Sequence, residues 1–233
     1  MRERARPQGR AEEYFLYFAG STRGRKPLSR DSGRAPAMSK GNRPQDAYGD
    51  KAKKEGFAAR AIYKLEEIDK RAQLLRRGMR VLDLGAFPGS WTQYAAQRVG
   101  REGHVLAVDQ QEWVSSFGPN VETRQCDVLA LTSQMLGGQA SFDLVMSDMA
   151  PWTTGTRFVD QCRSFDLFMH AASIAEGTLT GGGSFVGKIF QGPDFDKAKK
   201  HIEQLFTKTR VLKPEASRKE SYEIFVVGLG LRP

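Results

Sequence analysis

Residues 79–92 constrain the fold of this chain more than any other stretch. Met79-Arg-Val-Leu82 is a short, mostly apolar run of strand type. It passes through Asp83 into a loop carrying Gly85, Pro88 and Gly89, and a helix opens at Ser90-Trp91-Thr92. A strand, a glycine turn and a helix start bring bare backbone close to a ligand and aim helix N–H groups at it. The unit predicts a nucleotide-like ligand over a strand-to-helix turn, with Gly85 and Gly89 against it.

Beyond residue 80 the pattern alternates strand and helix. Strands are predicted at Arg80–Leu84, His104–Asp109, Val121–Gln125, Phe142–Ser147, Ser184–Phe190, Val211–Lys213 and Tyr222–Gly228, and helices at Ser90–Val99, Asp160–Glu176 and Phe195–Lys208. Such alternation predicts an α/β fold: a mostly parallel, doubly wound sheet with helices on both faces. Only the turn-rich Pro214–Ser221 separates the last two strands, so they read as a hairpin and the last strand runs antiparallel. Upstream, residues 46–73 carry a helical pattern through Ala59, Ile62, Tyr63, Leu65, Ile68 and Ala72, with a basic side of Lys51, Lys53, Lys54, Arg60 and Lys64.

The positive charge has a location. The chain of 233 residues has a net charge of +9, but residues 1–80 hold 21 Lys/Arg against 10 Asp/Glu. The remaining 15 basic residues face 17 acidic ones. A basic N-terminal third beside a near-neutral remainder suits a polyanionic partner. Residues 1–45, rich in Arg, Gly, Pro and Ser, are expected to be a disordered basic extension, with one folded domain over 46–233. Within that extension Met38 opens Met-Ser-Lys-Gly-Asn, in the manner of a natural start. The longest apolar runs, such as Tyr14–Ala19, are too short to cross a membrane, so no membrane role is expected. Two cysteines without a CxxC and three scattered histidines leave no basis for a disulfide framework or a metal site. A reducing, cytoplasmic setting is the default.

The glycine loop decides between cofactors. A dinucleotide fold asks for G-x-G-x-x-G after its first strand, and Gly85-Ala-Phe-Pro-Gly89 lacks that spacing, which disfavours NAD. The second strand ends in Asp109, placed to take ribose hydroxyls, and the third is followed by Asp127, placed to accept from an adenine amino group. Singly, each acid is as well explained by a helix cap or a turn. In order at successive strand ends, with a glycine loop that lacks a pyrophosphate cradle, they suit S-adenosylmethionine.

The chain resembles the FtsJ/RrmJ family of S-adenosylmethionine-dependent 2′-O-ribose RNA methyltransferases, in particular its bacterial large-subunit rRNA branch. The resemblance is carried by Arg60–Ile68, Leu82–Trp91, Val145–Pro151, Gly181–Gly192 and Lys213–Arg218 with Glu223, and spans about residues 40–230. It implies a Rossmann-like methyltransferase fold with a seven-stranded sheet whose last strand is antiparallel. It implies cofactor contacts at Gly89, Trp91, Asp109, Asp127 and Asp148. The family's Lys-Asp-Lys-Glu tetrad falls on Lys64, Asp148, Lys188 and Glu223. Phe87 and Ser90 depart from the usual loop, where small residues and glycine stand.

Transfer to a ribose hydroxyl needs that hydroxyl held in line with the methyl and relieved of its proton. Lys188 is the expected proton acceptor, with Asp148 orienting it and Lys64 and Glu223 holding the ribose. A lone lysine in Ser184-Phe-Val-Gly-Lys-Ile-Phe190 would read as a snorkelling edge residue; the other three matches change that. Ala150-Pro151-Trp152 after Asp148, in place of the Pro-Pro-Tyr/Phe of base-amino methyltransferases, favours an oxygen target. The expected substrate is a uridine in the A loop of 23S rRNA within the large ribosomal subunit, met by a monomeric enzyme. Phosphate contacts from Lys51, Lys53, Lys54 and Arg60 would lend salt-dependent affinity. A tRNA ribose methyltransferase of the same family and a catalytically idle, RNA-binding assembly factor are the alternatives.

Overall fold

The structure is a computed structural model and describes residues 47–113, 116–136, 141–218 and 220–233. The expected extension over residues 1–45 lies outside the described residues. The helical pattern upstream of the sheet forms two helices, α1 (Ala47–Lys54) and α2 (Ile62–Ala72), where the periodicity predicts one. The break has a local cause. Gly56 takes φ +78°, donating its N–H to the Lys53 carbonyl, while Phe57 N donates to Ala52 O at 2.9 Å. That pair of bonds is a Schellman motif, and it ends α1. Phe57 and Ala52 then pack with Ile62, Tyr63 and Ala216, so the turn closes over a small apolar cluster.

Seven strands come next: β1 (Arg80–Leu84), β2 (His104–Asp109), β3 (Val121–Gln125), β4 (Phe142–Ser147), β5 (Leu179–Phe190), β6 (Phe206–Leu212) and β7 (Glu223–Leu231). Between them lie α3 (Ser90–Val99), α4 (Arg157–Thr178) and α5 (Phe195–Leu205). They form one sheet in the order β3-β2-β1-β4-β5-β7-β6. The pairs from β3 through β5 are parallel, and β7 runs antiparallel to both β5 and β6, as the hairpin reading expects.

Alternating side chains divide the core between the two faces. Leu82, Leu84, Val145, Phe185 and Val226 pack with Phe168 and Ala171 of α4 and Ala198 and Ile202 of α5. Val81, Leu144, Met146, Val186, Phe225 and Val227 pack with Leu65 and Ile68 of α2 and Ala95 and Val99 of α3. Helices therefore cover both faces.

The last helix ends three residues before the predicted Lys208, and β6 begins at once with Phe206. Phe206 is buried, stacks on Phe185 at 6.4 Å, and takes the space a Cβ would fill at Gly228. β-branched Thr207, Thr209 and Val211 then favour a strand over further helix. β5 begins five residues earlier than predicted, and residues 180–183 fall where its register with β4 shifts between Phe142 and Leu144.

The chain reverses its sideways progress across the sheet between β1 and β4. In open α/β sheets this topological switch point is where ligands bind. The glycine loop leaves β1 there and Asp148 comes after β4 there.

Candidate active site

The register of β4, β5 and β7 assembles three of the four tetrad positions on one face. Ser147 pairs with Gly187, which sets Asp148 beside Lys188 one residue on. Lys188 pairs with Phe225, and Phe190 with Glu223, so Lys188 and Glu223 share the face that α2 covers. α2 supplies Lys64 from above, its ammonium 5.8 Å from the centre of the Phe225 ring.

The four side chains form two ion pairs. Lys188 Nζ lies 2.9 Å from Asp148 Oδ1 and donates its hydrogen bond to the Asp148 backbone carbonyl. Lys64 Nζ lies 2.7 Å from Glu223 Oε1. Lys188 is 7% exposed and Glu223 is buried, so these charges are tied down in a low-dielectric floor. Asp148 Oδ1 is close to the ammonium, yet no donor is aligned on it, which leaves an acceptor inside the site.

At the glycine loop, Gly85 and Gly89 have φ of +70° and +106°. A Cβ at Gly85 would collide with Met149 Cγ, and one at Gly89 would collide with the Phe117 ring. Both positions therefore require glycine for conformation and for room. Asp109 braces the loop: Oδ2 accepts from Phe87 N at 3.0 Å and Oδ1 from Gln111 N at 2.8 Å. Asp127 lies beyond β3 on the same edge, exposed, with Oδ1 accepting from Leu129 N at 2.9 Å as the cap of a 3-10 turn. Cap and ligand group are compatible roles for that acid, because one carboxylate oxygen is taken.

Trp91 sits differently from what its expected role suggests. Its indole is 3% exposed, donates to the Ala61 carbonyl at 2.9 Å and packs on Phe225 at 5.7 Å. Its backbone lies in the first turn of α3, where helix N–H groups have no intrahelical acceptor. Of the two departures in the loop, Phe87 is accommodated by packing. Phe87 leans on Trp113 at 6.3 Å, and Trp113 meets Phe117 edge-on at 5.6 Å. Ser90 is buried at the helix start with no partner for its hydroxyl.

These features fit a nucleoside cofactor. They include a glycine cradle without side chains, carboxylates at the end of β2 and beyond β3, and buried polar atoms at Ser90 Oγ and Trp113 Nε1 without a hydrogen-bond partner among the described residues. Among the described residues no cluster of three or more His, Cys, Asp or Glu is arranged to hold a metal. A cavity of about 430 Å³, lined in part by Arg76, Lys208 and Arg210, lies at the opposite edge of the sheet, by the β5 start and the β7 end. It contains none of the tetrad.

The fold and the family of the chain have counterparts among known proteins. The sequence pattern described as FtsJ-like methyltransferase matches residues 57–231. The chain belongs to that family. It is 51% identical over 184 residues to ribosomal RNA large subunit methyltransferase E of Sorangium cellulosum, covering 79% of this chain and 87% of that protein. It is 49% identical over 191 residues to the protein of the same name from Oleidesulfovibrio alaskensis, covering 81% and 92%. The crystal structure of a Plasmodium falciparum protein described as a ribosomal RNA methyltransferase superposes with a TM-score of 0.66 at 23% identity, covering 75% of this chain and 98% of that one. At that identity the likeness speaks for the fold.

Two buried acids escape a reading by motif. Asp83, inside β1, accepts from the Thr92 hydroxyl at 2.7 Å, and burial pushes its carboxyl up to about 7, against the Thr92 bond, with Asp148 and Asp109 adding to the rise. Its signal is an acid in the apolar run Val81-Leu-Asp-Leu84. Asp160, in the first turn of α4, accepts from Thr154 N at 2.7 Å and Thr154 Oγ1 at 2.9 Å. Those bonds, the backbone one foremost, hold its carboxyl below the usual range and pin the loop after Asp148. Among the expected phosphate contacts, Lys53 and Lys54 are exposed on α1. Arg60 donates to the Ala216 carbonyl at 2.6 Å, and Lys51 lies over the Tyr63 ring.

Proposed function

We propose that this protein transfers the methyl group of S-adenosylmethionine to a ribose 2′-hydroxyl of RNA, a uridine of the A loop of 23S rRNA in the large ribosomal subunit. The observation that carries the reading is the pairing of Lys188 with Asp148 and Lys64 with Glu223 on one sheet face beside the glycine cradle. The relatives named as ribosomal RNA large subunit methyltransferase E support the substrate class.

Gly85, Gly89 and the first turn of α3 would hold the cofactor, with Asp109 and Asp127 at its sugar and base. When bound, the cofactor supplies an electrophilic methyl, so the protein's task is to position the hydroxyl and accept its proton. Lys188 enters the step as the neutral amine and takes that proton from the 2′-oxygen as the oxygen gains its methyl; the ammonium so formed is held by Asp148 until its proton passes to solvent. Asp148 fixes the ammonium through its carboxylate and its backbone carbonyl, which leaves Lys188 one rotamer from which to work. Lys64 donates to the ribose oxygens, and Glu223 keeps Lys64 in place. The enzyme works as a monomer in the cytoplasm on assembling subunits. Lys53 and Lys54 add sequence-independent phosphate contacts.

A transfer assay with tritiated methyl donor on undermethylated large subunits, naked 23S rRNA and tRNA tests the proposal. Label is expected on large subunits or their rRNA. Lys188→Ala should lower the rate by roughly 100-fold or more, the usual contribution of a positioned base, with cofactor affinity unchanged. Wild-type rates in the variant would remove Lys188 from the chemistry. Label on tRNA alone would point to the tRNA enzyme of the family, and no label on any RNA to an assembly factor.

A further inference from the structure

The segment between Asp148 and α4 carries an aromatic group that the transfer chemistry leaves unused. Trp152 is 84% exposed, and Phe158, in the first turn of α4, is also exposed. A fully solvated indole is an unfavourable place for so much apolar surface unless something covers it. Its position is restricted. Trp152 comes four positions after Asp148, so their Cα atoms lie within about 14 Å. The loop is not free to wander, because buried Asp160 accepts both the N–H and the hydroxyl of Thr154, two residues on. The same rim carries cationic and ring groups: Arg157 lies over the Tyr222 ring at 5.2 Å, and Tyr222 packs edge-on to Phe190 at 4.7 Å, next to Glu223 in the chain.

We propose that Trp152 is a stacking platform for an unpaired nucleobase, either that of the target nucleotide or of its immediate neighbour. This rests on the reading of RNA as substrate and adds how the RNA must be presented. A base face is open to an indole only when the base leaves its own stack, which is how proteins read single-stranded loops and splayed nucleotides. Arg157 suits the flanking phosphate, and the Thr154–Asp160 bonds hold the loop that carries the indole. Paired RNA, whose base faces are covered, would gain nothing from it.

The test compares Trp152→Phe, which keeps a ring, with Trp152→Leu, which keeps apolar bulk only. With an unpaired hairpin-loop RNA, Trp152→Leu should raise KM by roughly 5- to 100-fold, the loss of one base stack, while Trp152→Phe stays near wild type. Cofactor affinity should be unchanged in both. Trp91 is buried and Trp113 partly so, so quenching of indole emission by a short single-stranded oligonucleotide should come mainly from Trp152 and disappear in both variants. Wild-type KM in Trp152→Leu, or quenching that survives substitution, would overturn the platform. If wild-type protein methylates no RNA, the proposed function fails, and the oligonucleotide quenching still decides the fate of Trp152.

Discussion

Asp83 shows how one residue can report on the site without touching a substrate. In the unfolded chain its carboxyl ionises near the ordinary value of about 4. In the fold it keeps its proton up to about 7. Between those values the folded state binds more protons than the unfolded one, so stability falls as pH rises through that window and levels off above it. Asp83→Asn should flatten that decline in denaturant titrations run from pH 4 to 8; an unchanged slope would mean that Asp83 ionises normally. Gly89 is the second informative position. Gly89→Ala faces both a φ of +106° and a collision with the Phe117 ring, so it should weaken cofactor binding by at least about tenfold in calorimetry, with a loss of roughly 1 kcal/mol or more in stability. An affinity equal to wild type would show that the cradle lies elsewhere.

Among the elements, strands are legible in the sequence wherever an apolar run ends in a turn signal. β1, β2, β3 and β4 fall where Arg80–Leu84, His104–Asp109, Val121–Gln125 and Phe142–Ser147 place them, because each run is short and bounded. The boundaries that differ are those set by partners distant in sequence. Phe206 begins a strand because Phe185 and the bare Gly228 receive its ring, which no local pattern announces. The break between α1 and α2 is visible in principle at Gly56, but helical spacing on either side conceals it. The site divides in the same way. The four tetrad residues can be named from motif order, while their grouping as Lys188–Asp148 and Lys64–Glu223 depends on the β5–β7 register and the placement of α2. Asp160 as the anchor of the Trp152 loop belongs to tertiary structure alone.

For the whole molecule, the sheet order brings the glycine loop of β1, the carboxylates at the end of β2 and beyond β3, Asp148 after β4 and the lysine of β5 to one edge, with β7 inserted antiparallel to add Glu223. In the proposed function that edge takes a cofactor on the β1–β3 side and a proton transfer on the β4–β7 side. The basic residues of α1 and the N-terminal third supply charge for a polyanion, so RNA affinity should fall steeply with salt while cofactor affinity barely moves. Ribose and base methylation differ in the atom that receives the methyl, and alkaline hydrolysis of labelled product RNA reads that atom directly. A methylated 2′-oxygen cannot attack the adjacent phosphodiester, so the label should survive in alkali-resistant dinucleotides whose methylated ribose belongs to uridine. Label released entirely in mononucleotides, with the methyl on a base, would overturn the assignment of a ribose hydroxyl as the target.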